Sequence, residues 1–220
     1  MNDLIIHYVA NKKWYWYAAL WLLCLYVFVA SIGFNSNTNT SFVIQVLYTV
    51  QFGVHEVSHL ATTFLPAVFT AAAGSLSEIL LTGTFVAVAL YSKAYFSVAF
   101  SLVWFMLACQ SAGMYMSDAR SQQLQLIGFG EKVTHDWNFV FSNLGILGAD
   151  TTIGTTVKII GMVAGLVGLA FGLWLIYRMM TYKKPQENTV TTPLAQYVDP
   201  SDAIAAAREA ELNELKPRVK

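Results

Sequence analysis

Charge is what this 220-residue chain has least of: Asp, Glu, Lys and Arg together make up 12% of it, against 56% apolar residues. That balance excludes an ordinary soluble globular domain. Lys plus Arg equals Asp plus Glu, so the chain has no net charge and no basic field of the kind that nucleic acid requires. Cysteine is nearly absent. Cys24 and Cys109 both fall inside apolar runs, where they read as small packing residues rather than as a disulfide. Histidine is equally sparse, with four in the chain, and there is neither an internal repeat nor a low-complexity tract.

Long apolar runs are what the chain does have. They fall at about 14–34, 42–65, 67–91, 95–117 and 153–180, each long enough to cross a hydrocarbon core of ~30 Å as a helix. The expectation is an all-α integral membrane protein with about five transmembrane helices and an interfacial loop helix. Residues 1–182 form its membrane domain and 183–220 a polar, flexible tail. Lys12-Lys13 followed by Trp14-Tyr15-Trp16-Tyr17 marks an aromatic belt at the membrane surface, after a short polar start. A basic start before an apolar core is also the pattern of a secretory leader, but Phe28 and Ala30 make a poor small-x-small cleavage site. Basic pairs at both ends, Lys12-Lys13 and Lys183-Lys184, leave the orientation undecided.

Pro66 parts the second run from the third so closely that the two are predicted to fold into a tight antiparallel hairpin. Counting outward from the turn sets His55 level with Ser77, His59 level with Ala73, and Glu78 within a residue of the depth of His55. A second fold about Lys93 brings Cys109 and Gln110 to the same layer. Residues 118–150 are a long polar interruption, in which Trp137, Val140, Phe141 and Leu144 recur at helical spacing. They predict a short amphipathic helix at the interface, with Asp136 placed to cap it. On the last run, Gly161, Gly165, Gly168 and Gly172 form a close-packing face for another helix, within the chain or in a second subunit. In the tail, Ser201-Asp202 is placed to cap a short helix ending near Leu215.

The chemistry concentrates at His55-Glu56-Val57-Ser58-His59, inside the second run. On a helix the two imidazoles lie one turn apart on one face and reach one ion, with a carboxylate beside them. This is the H-E-x-x-H zinc pattern, in which the glutamate serves as general base toward water. Three ionisable groups within one turn of a membrane helix need a common partner, and a metal ion supplies it. Two histidines do not complete a zinc site, which usually takes three protein ligands. His135 is the favoured third, since a loop as long as 118–150 can dip to the depth of His59; His7 reads as surface. Asp136 and Glu78 compete with it, Asp136 as cap or outer partner and Glu78 as ligand, proton relay or the acceptor that orients His55.

A membrane-embedded H-E-x-x-H helix followed by a short hairpin and further spans resembles the site-2 protease family of intramembrane zinc metalloproteases, in its small bacterial branch. The resemblance rests on His55, Glu56 and His59 and covers about Gln51 to Leu81. It implies Zn²⁺ at those histidines, Glu56 as catalytic base, peptide-bond hydrolysis within or beside the bilayer, and a bacterial inner membrane as the location. That family's third ligand comes from an aspartate in an L-D-G or N-P-D-G motif; neither occurs here, and His135-Asp136-Trp137 is the nearest substitute.

The expected function is therefore a zinc-dependent intramembrane hydrolase, a metalloprotease acting on membrane peptides, with Glu56 catalytic and His55, His59 and His135 on the metal. Its partners would be membrane lipid and a membrane protein or lipid substrate. Two alternatives stay open: a membrane scaffold or complex subunit with a structural metal that binds partners through the Gly161, Gly165, Gly168 and Gly172 face and the flexible tail, and a zinc-dependent lipid amide or ester hydrolase.

Overall fold

The computed structural model describes residues 2–10, 12–35, 41–125, 135–182, 204–205, 207–209 and 211. The chain divides into two units, Met1–Tyr182 and Lys183–Lys220. In the second, 204–205, 207–209 and 211 are helical and exposed, while Ser201, Asp202 and Leu215 lie outside the described residues. The first unit holds α1 (Asn2–Val9), α2 (Trp14–Ser31), α3 (Phe42–Ala61), α4 (Ala67–Tyr91), α5 (Tyr95–Ser117), α6 (Asp136–Asn143), a 3₁₀ turn (Leu147–Ala149) and α7 (Asp150–Thr181). No strand occurs among the described residues.

Four helical stretches are long and apolar enough to cross a membrane: Trp14–Ser31, Ala67–Tyr91, Tyr95–Ser117 and Leu147–Thr181. α3, the fifth expected, has the length at 20 residues. Gln45, Gln51, His55, Glu56, Ser58 and His59 dilute its apolar character, so composition alone does not place it with the other four.

α5 is the central post. It is buried along most of its length, and α7 runs antiparallel against it through the glycine face. A Cβ at Gly168 would come 2.8 Å from the Ala99 carbonyl oxygen, and one at Gly165 2.7 Å from the Met106 sulfur. At Gly161 it would collide with the Cβ of Cys109, and at Gly172 it would sit 3.0 Å from the Trp21 indole on α2. The glycines that the spacing marked as a packing face are thus spent within the chain, on α5 and α2, with none of that face left over for a second subunit. Both cysteines are free and buried.

α3 and α4 form the hairpin predicted about Pro66. Ser41 starts α3 by accepting from the Ile44 N–H. At the turn the Thr62 hydroxyl donates back to the Ser58 carbonyl (2.7 Å), and the Thr70 hydroxyl donates to the Thr62 carbonyl (2.8 Å), stitching the two helix ends together. α3 meets α5 through Gln51, fully buried, whose side-chain oxygen accepts from the Trp104 indole and the Ala108 N–H, each at 3.2 Å. α4 ends with Lys93 at φ 57°, where the Ala94 N–H bonds back to the Ala89 carbonyl (2.9 Å) and the Lys93 N–H to the Leu90 carbonyl (3.1 Å). This closing motif usually takes glycine in the left-handed position.

Two expectations need correction. The N-terminal segment is a helix, α1, whose Ile5 and Val9 pack on Leu175, Ile176 and Met179 of α7; tertiary contact organises eight residues too few to hold a helix alone. The loop helix α6 does not spend its apolar stripe on lipid. Trp137, Val140 and Phe141 are buried against Val68, Ala71, Ala72 and Ile79 of α4 and Ala112 and Met116 of α5. Burial of Val140 and Phe141 is worth about 1.5–3 kcal/mol each relative to exposure, enough to fix so short a helix. Leu144 falls beyond its end, in a turn closed by Gly145 at φ 69°.

Candidate metal centre

The site forms where three elements meet: the C-terminal half of α3, the first half of α4 and the first turn of α6. α3 contributes His55, buried, and His59, partly buried, one turn apart. Across the hairpin, His55 Nδ1 donates to Glu78 Oε1 at 2.7 Å and His59 Nδ1 donates to the Thr70 carbonyl at 2.9 Å. A carbonyl only accepts, so the proton on His59 is at Nδ1; the Glu78 carboxylate places the His55 proton likewise. Each ring therefore turns the lone pair of its Nε2 the same way, in the outer-partner arrangement that metal-binding histidines use.

Facing them is the Asp136 carboxylate. Its Oδ2 lies 3.3 Å from His59 Nε2 and 3.5 Å from His55 Nε2, and the three ligand atoms all fall within 4.8 Å of one another. Tetrahedral zinc with bonds of ~2.0–2.1 Å has ligand-to-ligand edges of about 3.3–3.4 Å, close to the two separations to Asp136. Three electron-pair donors turned on one point repel unless something cationic lies between them.

Gly74 of α4 stands directly behind the pair, and a Cβ there would come 2.5 Å from His55 Nε2 and 2.6 Å from His59 Nε2. The missing methyl is the cradle that lets both rings lie against α4. Donor chemistry and separations together fit a divalent ion of the zinc class.

The placement of the third ligand differs from the expectation. Asp136, not His135, joins the histidine pair, and His135, not Asp136, caps α6: its backbone is extended (φ −72°, ψ 104°) and its Nδ1 accepts from the Asn138 N–H at 3.3 Å. The reason is local. Asp136 is the first helical residue, its N–H donates to the Tyr115 hydroxyl (3.0 Å), and its carboxylate swings toward the imidazoles. His135 Nε2 instead points toward Asp118, at 3.5 Å, and its ring packs on Tyr115 with centroids 4.3 Å apart. Burial pushes the His135 imidazole down, offset in part by Asp118, so the neutral ring serves as a cap. Asp118 in turn accepts from the Ser121 hydroxyl and from the Gln123 and Leu124 N–H groups (2.9 Å each), which outweigh burial and hold its carboxyl low. Arg120 pairs with Asp150 (2.7 Å), not with Asp118.

Glu78 is 3% exposed and takes the orienting role toward His55. The polar neighbours that might have satisfied it otherwise are engaged elsewhere: Gln110 donates to the Lys158 carbonyl and Ser75 accepts from the Trp137 indole. Glu56 is half-buried beside His55, near enough to the Tyr115 phenol to interact with it electrostatically. His7 is exposed on α1. Three contributors carry no motif in the sequence: Gly74, the Thr70 carbonyl and Tyr115. Counting depth from Pro66 does put Gly74 beside the level of His59, a signal that was there to be used.

Comparison with known protein families, with curated proteins and with solved structures finds no match to this chain.

Proposed function

We propose that the chain is a zinc-dependent hydrolase of the membrane, with α3 as a fifth span, cleaving a peptide bond in a membrane-embedded or membrane-adjacent substrate in a bacterial inner membrane. The observation that carries this is the convergence of His55 Nε2, His59 Nε2 and Asp136 Oδ2 to within 4.8 Å of one another beside Gly74. A polar face on α3 suits a spanning helix when that face is turned inward, as Gln51 and His55 are.

In this reading His55, His59 and Asp136 hold the ion, and the fourth position is left for water and substrate. Zinc, when bound, supplies Lewis acidity toward water and toward a substrate carbonyl. Glu78 and the Thr70 carbonyl keep both rings in the one tautomer that can ligate. Glu56, one residue along from His55, takes the proton from the attacking water and returns it to the departing nitrogen. Low dielectric around the site strengthens each of these charge interactions.

The glycine face on which a scaffold would bind partners is packed against α5 and α2. Glu56→Gln separates a hydrolase from a scaffold with a structural metal. A hydrolase keeps its metal in this variant and loses roughly 10²–10⁴-fold in turnover on membrane peptides. A variant that cleaves as well as wild type would remove Glu56 from the chemistry and the proposal with it.

A further inference from the structure

Asp136 comes from a short helix after a long connection, so something must aim it. We infer that the Tyr115 hydroxyl is the positioning group that directs the Asp136 carboxylate onto the metal, an inference that rests on the metal-centre reading above. The geometry fixes the direction of every proton involved. The Asp136 backbone N–H can only donate, and it donates to the Tyr115 oxygen at 3.0 Å. The phenol proton is therefore free to go to the carboxylate, and Asp136 Oδ2 accepts it at 3.2 Å.

One oxygen on α5 thus grips both the backbone and the side chain of the same residue. It does so at Oδ2, the atom that faces both imidazoles, and so favours the carboxylate orientation turned toward them. The Tyr115 ring is itself fixed, lying against the His135 ring on one side and 6.2 Å from the centroid of His55. This completes a pattern. Each of the three ligands has its own support from a different source: Glu78 for His55, the Thr70 carbonyl for His59 and Tyr115 for Asp136. Loss of such a support typically lowers metal affinity about 10–100-fold.

A purely structural role for Tyr115 would look different, because α6 has other anchors. The Trp137 indole donates to Ser75 at 3.0 Å and the Asn138 amide donates to the Ala119 carbonyl at 2.8 Å. Ser75→Ala therefore weakens the docking of α6 without touching the carboxylate, and serves as the control.

The test is cobalt(II) titration of the full chain in detergent, reading both the dissociation constant and the visible absorption of the bound ion. Tyr115→Phe is expected to weaken binding roughly 10–100-fold and to alter the spectrum, while Ser75→Ala leaves both as in wild type. Equal cobalt affinity in wild type and Tyr115→Phe overturns the inference and leaves the metal centre standing. Equal weakening in Ser75→Ala and Tyr115→Phe also overturns it, assigning the effect to α6 docking. A wild-type chain that takes up no cobalt removes the metal centre itself, and the inference falls with it.

Discussion

Glycine does two different things in this molecule. Along α7, Gly161, Gly165, Gly168 and Gly172 lack a Cβ so that α5 and α2 can come close, and the space is filled by neighbouring backbone and side chains. On α4, Gly74 lacks one so that two imidazole rings can lie against the helix with their Nε2 atoms toward Asp136. The first use serves packing, where small residues let membrane helices approach. The second serves chemistry. The same contrast runs through the two helix pairs: α5 packs on α7 through glycine contacts, while the α3–α4 hairpin holds His55, His59 and Glu78 in a hydrogen-bonded polar cluster. Burial alone therefore does not tell which glycine matters for function; what its missing methyl would touch does.

The contrast can be broken at each end. Gly161→Leu should have the largest effect, because the added atoms meet Cys109 and the Met106 carbonyl, neither of which can move far. Overpacking of this kind costs about 1–3 kcal/mol or more. The thermal unfolding midpoint should fall whether or not metal is present. Gly74→Ala should do the reverse: its methyl displaces both imidazoles from the ligating position, so zinc binding is lost while the metal-free protein unfolds near the wild-type temperature. A Gly74→Ala chain that binds zinc normally would contradict the cradle.

The sequence made the glycine-packed half easier to read than the polar one. Glycines at intervals of four, three and four announce a packing face, and Pro66 announces a hairpin, because both are local rules. His55, Glu56 and His59 were legible for the same reason, and counting from the turn brought Glu78 to the depth of His55. Which of His135 and Asp136 faces the pair was not, because it turns on one residue of register. A helix that begins at Asp136 instead of after it rotates the adjacent side chain by about 100°, which exchanges the roles of His135 and Asp136. Tyr115 left no trace, since an aromatic near the end of an apolar helix ordinarily signals a membrane boundary. The five-span count depends on α3, whose site residues are the very groups that lower its apolarity.

A smaller effect sharpens the comparison at the edge of the site. Asp118 is held below the ordinary carboxylate range by Ser121 and the Gln123 and Leu124 N–H groups, against the upward push of burial. A depressed carboxyl stabilises the fold above its unfolded value of ~3.9, and that contribution is lost as pH falls through the lower folded value. At neutral pH the Gln123 and Leu124 amides should exchange slowly in wild type and faster in Asp118→Asn. Their protection, corrected for the intrinsic pH dependence of amide exchange, should also fall in wild type as pH drops through the depressed Asp118 value. Exchange that ignores both pH and substitution would show that Asp118 does not hold this turn.

The most direct measurement is zinc content of the purified full chain in wild type, Asp136→Ala and His135→Ala. With His55, His59 and Asp136 as ligands, wild type and His135→Ala each carry one zinc ion per chain and Asp136→Ala loses it. Zinc retained in Asp136→Ala but lost in His135→Ala, or absent from wild type after zinc is supplied, would contradict the account.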